Sequence, residues 1–272
     1  MGRSKALAIL AFAVFVAAFF LGPAARQSLF AWATPVAALV SAAFAFKAYQ
    51  RLGNNALGTS WVFLALGFFL WFAALASWAV DSTVFVRILP FPSFAELAFL
   101  FAYVPAVAGA LYSVEGKKLE RLSGYAMLLL VGGGSAVLVT TWFFVFYPLI
   151  FGSAGFFEKA LGMLYSAADY SLLFLAAFVF FKTGSAPDQD GARSAWRLML
   201  FGMGAFSAAG LLLAYDKFFG QPGVVGQALF FLGHAASAIG AHSVCCGESA
   251  QAPPAQLRAP AKPAKAAKGK RR

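Results

Sequence analysis

Eight separate stretches of the chain are each long and apolar enough to cross a bilayer, near residues 5–22, 29–48, 58–80, 93–112, 124–147, 158–182, 193–215 and 222–243. A hydrocarbon core needs about 20 consecutive, mostly apolar residues in a helix. In lipid, a helix satisfies its backbone polar groups within its own segment. The expected fold class is therefore all-α, a polytopic membrane protein of eight transmembrane helices. Connections between the stretches are short, and the one long segment outside them is the tail, residues 247–272. Only 11% of residues are charged, against about 25% in a soluble domain, so no soluble core of ordinary size is available. Any activity belongs to the helix bundle or to the tail.

The distribution of the 21 Lys and Arg residues sets the orientation, because positive residues in short loops stay on the cytoplasmic side. With the N-terminus inside, 17 of them fall inside, among them Arg3, Lys5, Lys47, Arg51, Lys117, Lys118 and Arg121. Only Arg26, Arg87, Lys159 and Lys217 fall outside. Both termini are thus expected in the cytoplasm of a cell-membrane protein. Arg3 and Lys5 before an apolar run also fit a secretion signal, but this run exceeds the usual core of about 7–15 residues, so a retained helix is expected.

An internal repeat emerges when the chain is compared with itself. At an offset of 135 residues Trp61 aligns with Trp196, Gly67 with Gly202, Asp81 with Asp216 and Lys47 with Lys182. The same offset makes Thr34 the counterpart of Asp169. At an offset of 131, Glu96 meets Gln227, Phe99 meets Phe230, Tyr103 meets His234 and Gly109 meets Gly240. Four spans return the chain to its starting side, so the halves share one orientation, related by an axis along the membrane normal. The expected organisation is a first four-helix repeat over 1–122, a second over 123–246, and a disordered basic tail over 247–272.

Packing between helices in lipid relies on small residues. Gly132, Gly133 and Gly134 in the fifth stretch, and Ala73, Ala74, Ala208, Ala209 and Gly210 in the repeated ones, are expected at close contacts. Trp71, Trp78, Trp142 and Tyr147 read as interfacial anchors.

Ionisable groups at bilayer depth are costly and mark functional sites. Asp169 lies near the middle of the sixth stretch and His234 near the middle of the eighth. With Tyr103 and Thr34 they form a candidate intramembrane ligand or proton site at the seam of the two halves, extended by Tyr165, Ser166 and Ser171. Glu96 completes a capping box with Ser93. Together with Asp81 and Asp216 it is also a candidate for an outward-facing site. Cys245 and Cys246 adjoin the cytoplasmic end of the last stretch, where reducing conditions argue against a disulfide.

The tail carries seven basic residues and no acidic one after Gln251. Its expected partner is anionic lipid headgroups, at about 1 kcal/mol per Lys or Arg, rather than a specific nucleic acid, since no aromatic residue is interleaved for base stacking. There is no nucleophile elbow, metal-binding His motif or phosphate loop. No catalytic residue, metal or cofactor is assigned.

The run from Trp61 through Gly67, Asp81, Pro92, Ser93, Ala95, Glu96, Phe99 and Leu100 to Tyr103 resembles the multi-helix membrane region that precedes output domains in bacterial signalling proteins such as diguanylate cyclases and histidine kinases. The stretch from Trp196 to Gly240 is similar in pattern. That resemblance implies a non-enzymatic sensory or scaffolding module, read by a separate protein partner. A weaker resemblance, through Gly204, Ala205, Phe206, Leu213, Ala214, Tyr215, Asp216, Lys217 and Phe218, is to the lysoplasmalogenase family, with Ala209 and Gly210 where that motif carries Ser and Asp. It implies an ether-lipid hydrolase. A small proton-coupled transporter using Asp169 and His234 is the runner-up to the sensory or scaffolding reading, ahead of the hydrolase.

Overall fold

The computed structural model of the chain describes residues 3–85, 93–114, 122–153, 155–183, 190–219 and 224–246. Among them every regular element is helical: α1 (Arg3–Phe19), α2 (Pro23–Leu52), α3 (Ala56–Thr83), α4 (Phe94–Tyr112), α5 (Gly124–Thr141), α6 (Tyr147–Phe151), α7 (Phe156–Thr183), α8 (Asp190–Phe219) and α9 (Val224–Cys246). A π-helical turn, Trp142–Phe146, joins α5 to α6. The tail over 247–272, expected to be disordered, lies outside the described residues, as do most inter-helix loops.

Among the described residues six helices are long and apolar enough to cross a membrane: α2, α3, α4, α7, α9 and the continuous rod Gly124–Phe151. The apolar part of α1, Ala6–Ala18, is shorter. In α8, Asp190, Arg193 and Arg197 precede an uncharged stretch over 198–215, and Asp216 and Lys217 follow it. The surface agrees with a bilayer setting. Phe101, Val104 and Leu128 are 63%, 66% and 68% exposed, and contiguous apolar surface of that kind belongs to a protein covered by something other than water.

Local chemistry explains the helix ends. Arg26 donates from Nε to the Ala18 carbonyl at 2.9 Å, which also accepts from the Leu21 N–H at 3.3 Å, and from Nη2 to the Leu21 carbonyl at 3.0 Å, so its guanidinium caps the chain where α1 ends. Between α2 and α3 the chain turns at Gly53, whose φ of 74° favours glycine. The Asn55 side chain then accepts from the Gly58 N–H at 2.8 Å as N-cap of α3. A Cβ on Gly58 would stand 1.9 Å from the Gly53 carbonyl oxygen, so only glycine fits there. The π turn before α6 coincides with Pro148, which has no N–H to donate to the turn before it.

Six helices pack in a closed order, α2, α3, α4, α7, α8, α9 and back to α2. Across the middle, Trp61 of α3 meets Trp196 of α8 with ring centroids 6.3 Å apart, and Trp71 meets Phe206 at 5.4 Å. Phe99 of α4 meets Phe230 of α9 at 6.0 Å. Glycines bring the neighbouring backbones together. A Cβ on Gly67 would lie 3.1 Å from the Ala102 carbonyl oxygen, and one on Gly202 2.8 Å from that of Gly233. On Gly109 it would lie 2.8 Å from the Ser60 oxygen, and on Gly240 2.9 Å from that of Ala195.

Two packing expectations need correction. Nothing lies within 4 Å of a Cβ built on Gly132 or Gly133, and Gly134 meets only the Phe174 ring at 3.9 Å, so the glycine run faces outward rather than a neighbouring backbone. Trp71 is 2% exposed and sits in the core rather than at an interface, because its helix is ringed by α4, α8 and α9 side chains at that level.

Outside the closed order, α1 packs on α9 and lightly on α2, whereas α5 packs on α7. The packing of α1 is tight: Ala18, Phe30, Ala228 and Phe231 form a small buried cluster of their own.

Candidate functional site

One face of α7 carries Glu158, Gly162, Tyr165, Ser166 and Asp169, spaced so that they fall on a single stripe of the helix. Opposite it, α4 presents Glu96, Phe99 and Tyr103. These two faces, with Trp78 of α3, Leu149 of α6, Gly210 of α8 and Phe230 of α9, enclose a cavity of about 360 Å3. The volume is within the range of small-molecule sites, about 300–1,000 Å3.

At the inner end, Asp169 is 9% exposed and accepts a hydrogen bond on Oδ1 from the Tyr103 hydroxyl at 2.6 Å. Its Oδ2 has no hydrogen-bond partner among the described residues and lies 3.2 Å from where a Cβ on Gly210 would stand. Glycine at that position therefore leaves room beside the carboxylate. At the other end, Glu96 accepts on Oε2 from the Ser93 backbone N–H at 2.6 Å and from the Ser93 hydroxyl, as the capping-box spacing predicts. Its backbone oxygen accepts from the Tyr165 hydroxyl at 3.0 Å, tying α7 to the start of α4. Ser166 donates to the Gly162 carbonyl at 3.0 Å and Ser171 to that of Ala167 at 2.7 Å, both within α7.

Of the intramembrane cluster read from the sequence, Tyr103, Asp169, Tyr165 and Ser166 therefore share one cavity, while His234 and Thr34 do not line it. His234 is fully buried, with its ring 4.7 Å from Phe206, 6.0 Å from Trp71 and 6.1 Å from Phe68. Neither of its ring nitrogens has a hydrogen-bond partner among the described residues. Trp71 stands edge-on to both His234 and Tyr103, the latter at 5.3 Å. Thr34 donates to the Phe30 carbonyl of its own helix at 2.7 Å.

The outward-facing trio falls partly outside the described residues. Glu96 lines the cavity and Asp81 is not one of its lining residues, while Asp216 lies in α8 where side chains fall outside the described residues. Sequence reasoning missed Glu158, Trp78 and Gly210 as cavity residues. The stripe on α7 was the available signal for Glu158, since Glu158, Gly162, Tyr165 and Asp169 follow helical spacing.

A second, smaller cavity of about 120 Å3 lies beside the first, lined by Phe30, Ala31, Thr34 and Gln227 together with Leu75, Trp78 and Phe230. The last three also line the larger cavity. Gln227 Oε1 is buried there without a hydrogen-bond partner among the described residues.

In chemical terms the larger cavity combines three carboxylates with the rings of Trp78, Phe99, Tyr103, Tyr165 and Phe230, and no Lys, Arg or His is among its described lining residues. It brings no imidazole to a hydroxyl group there. Comparisons with protein-family models, with curated proteins and with solved structures return no match. The class that the helices define is a multi-helix membrane protein.

Proposed function

We propose that this chain is a multi-pass cell-membrane protein whose eight helical rods, the shorter α1 included, all span the bilayer as two like-oriented repeats, and that it acts as a sensory or scaffolding module responding to a small ligand in the larger cavity. The observation that carries this reading is the cavity itself, with a nine-tenths buried carboxylate, Asp169, offering an unpartnered oxygen where helices of the two halves meet. Sites of repeat-built membrane proteins lie at such seams.

The repeat is supported by how the aligned residues pack. Trp61 with Trp196, Trp71 with Phe206 and Phe99 with Phe230 are counterparts that touch each other, as residues near a two-fold axis do. Gly67 rests on Ala102 and Gly202 on Gly233, and those partners are counterparts too. So are Ser60 and Ala195, which receive Gly109 and Gly240. The basic residues favour both termini on the cytoplasmic side, with the tail adhering to anionic headgroups and a separate protein partner reading the state of the bundle.

Native mass spectrometry of the full chain, released from mild detergent, tests the cavity as a ligand site. A small molecule is expected to travel with the wild type and to be lost from Gly210→Leu, which fills the space beside Asp169, while helix content and melting show both proteins folded. Equal occupancy in the two proteins would refute the reading. A transporter is the second reading, favoured by the cavity drawing its lining from both halves. It predicts solute uptake into proteoliposomes that Asp169→Asn abolishes.

A further inference from the structure

The two neighbouring cavities are related by the same offsets as the repeat. Asp169, Ser166 and Tyr165 of the larger correspond to Thr34, Ala31 and Phe30 of the smaller, and Glu96 corresponds to Gln227. Asp169 and Glu96 thus have neutral counterparts of similar size, and the hydroxyl-bearing Tyr165 and Ser166 have apolar ones. Gly210 corresponds to Leu75, so the larger cavity is open where the smaller is filled by a leucine. Helix packing has the same bias, with α1 closing over α9 and α2 while α5 leans on α7. Side chains needed only to hold two equivalent helix pairs together have no reason to be ionisable in one copy and neutral in the other, since buried charge is costly in lipid.

We propose that the larger cavity binds an organic cation, a protonated or quaternary amine, and that the smaller cavity is its neutral twin with no such affinity. The recognition is physical. Asp169 presents an oxygen with no hydrogen-bond partner among the described residues at the inner end, and the Glu96 carboxylate, held by Ser93, stands at the other. Between them the faces and edges of Phe99, Tyr165, Trp78 and Phe230 form an aromatic wall, the surroundings that attract ammonium groups. An anionic ligand would meet three carboxylates there and no cationic side chain among the described lining residues. The amine is either a free small molecule or the headgroup of a single-chain lipid, both of which offer the same chemistry to the site.

This inference rests on reading the cavity as a ligand site, and the experiment separates the two. Equilibrium dialysis of the full chain in neutral detergent measures binding of three probes: choline, a single-chain phosphocholine lipid, and the neutral isostere of choline in which a tert-butyl group replaces the trimethylammonium. At least one cationic probe is expected to bind the wild type, with the neutral isostere weaker by about tenfold or more and Asp169→Asn weakening only the cation by a similar factor, the loss of one charge-assisted contact. Binding of choline itself identifies a free amine as the source, and binding of the lipid alone identifies a headgroup. Gly210→Leu, which installs the twin's residue, should abolish binding, whereas Thr34→Val in the smaller cavity should leave it unchanged. If the isostere binds as well as choline, the cation inference falls while the ligand site stands. If no probe binds, the cation inference also falls, and native mass spectrometry decides the ligand site separately. Cation binding that survives both Asp169→Asn and Gly210→Leu would place it elsewhere and overturn the proposal.

Discussion

Asp169 is held by one side chain, the Tyr103 hydroxyl at 2.6 Å. A hydrogen bond involving a charged or strongly polar partner in a buried setting contributes about 1.5–3 kcal/mol, so Tyr103→Phe should lower the thermal midpoint in detergent while keeping the helix content measured by circular dichroism. The same substitution removes no charge from the cavity. The depth of Asp169 and the match of Tyr103 to His234 were legible in the sequence, because position along an apolar stretch translates directly into depth. Rotation about a helix axis was not legible. That rotation sends His234 in among Phe68, Trp71 and Phe206 rather than toward Asp169. It also turns Trp78 to the cavity, although its place near the end of an apolar run reads as an interfacial anchor. Glu158 escaped notice because it opens α7 and reads as a loop residue unless the helical stripe is traced from it to Asp169.

Among elements, the pairing of α3 with α4 and of α8 with α9 depends on glycine at the contact. Gly109→Ala would put a Cβ 2.8 Å from the Ser60 carbonyl oxygen, and Gly240→Ala one 2.9 Å from that of Ala195. Backbone atoms cannot swing aside as side chains do, so each substitution should destabilise by about 1–3 kcal/mol, and by similar amounts in the two halves. Gly132→Ala is expected to behave oppositely. With open space around it, the added methyl favours the helix by about 0.5–1 kcal/mol. Chemical or thermal unfolding of the three variants in one detergent measures both signs. Helix existence was plain from apolar run length, since little else in the chain is long enough to compete. The role of the glycines was not, because a small residue reads alike whether it meets a neighbour, as Gly109 does, or lipid, as Gly132 does. The π turn at Trp142–Phe146 was equally hidden, although Pro148 beside it marks where a helix must adjust.

For the whole molecule, the closed order α2, α3, α4, α7, α8, α9 places each half's helices against the other's, so neither half is expected to fold by itself. Co-expressing residues 1–122 and 123–272 as separate chains should give an assembly that co-purifies, and a stable monomeric half would contradict this. Orientation is tested by reporters joined to the C-terminus in a bacterial host. A fluorescent protein should be bright there and alkaline phosphatase inactive, with the reverse result overturning the assignment of the tail to the cytoplasm. Finally, Leu75, Trp78 and Phe230 belong to both chambers. A partition made of close-packed side chains cannot bulge one way without receding the other. A guest that swells the roomier compartment therefore shrinks the one next door, and two occupants that never touch would still compete for the same thin wall.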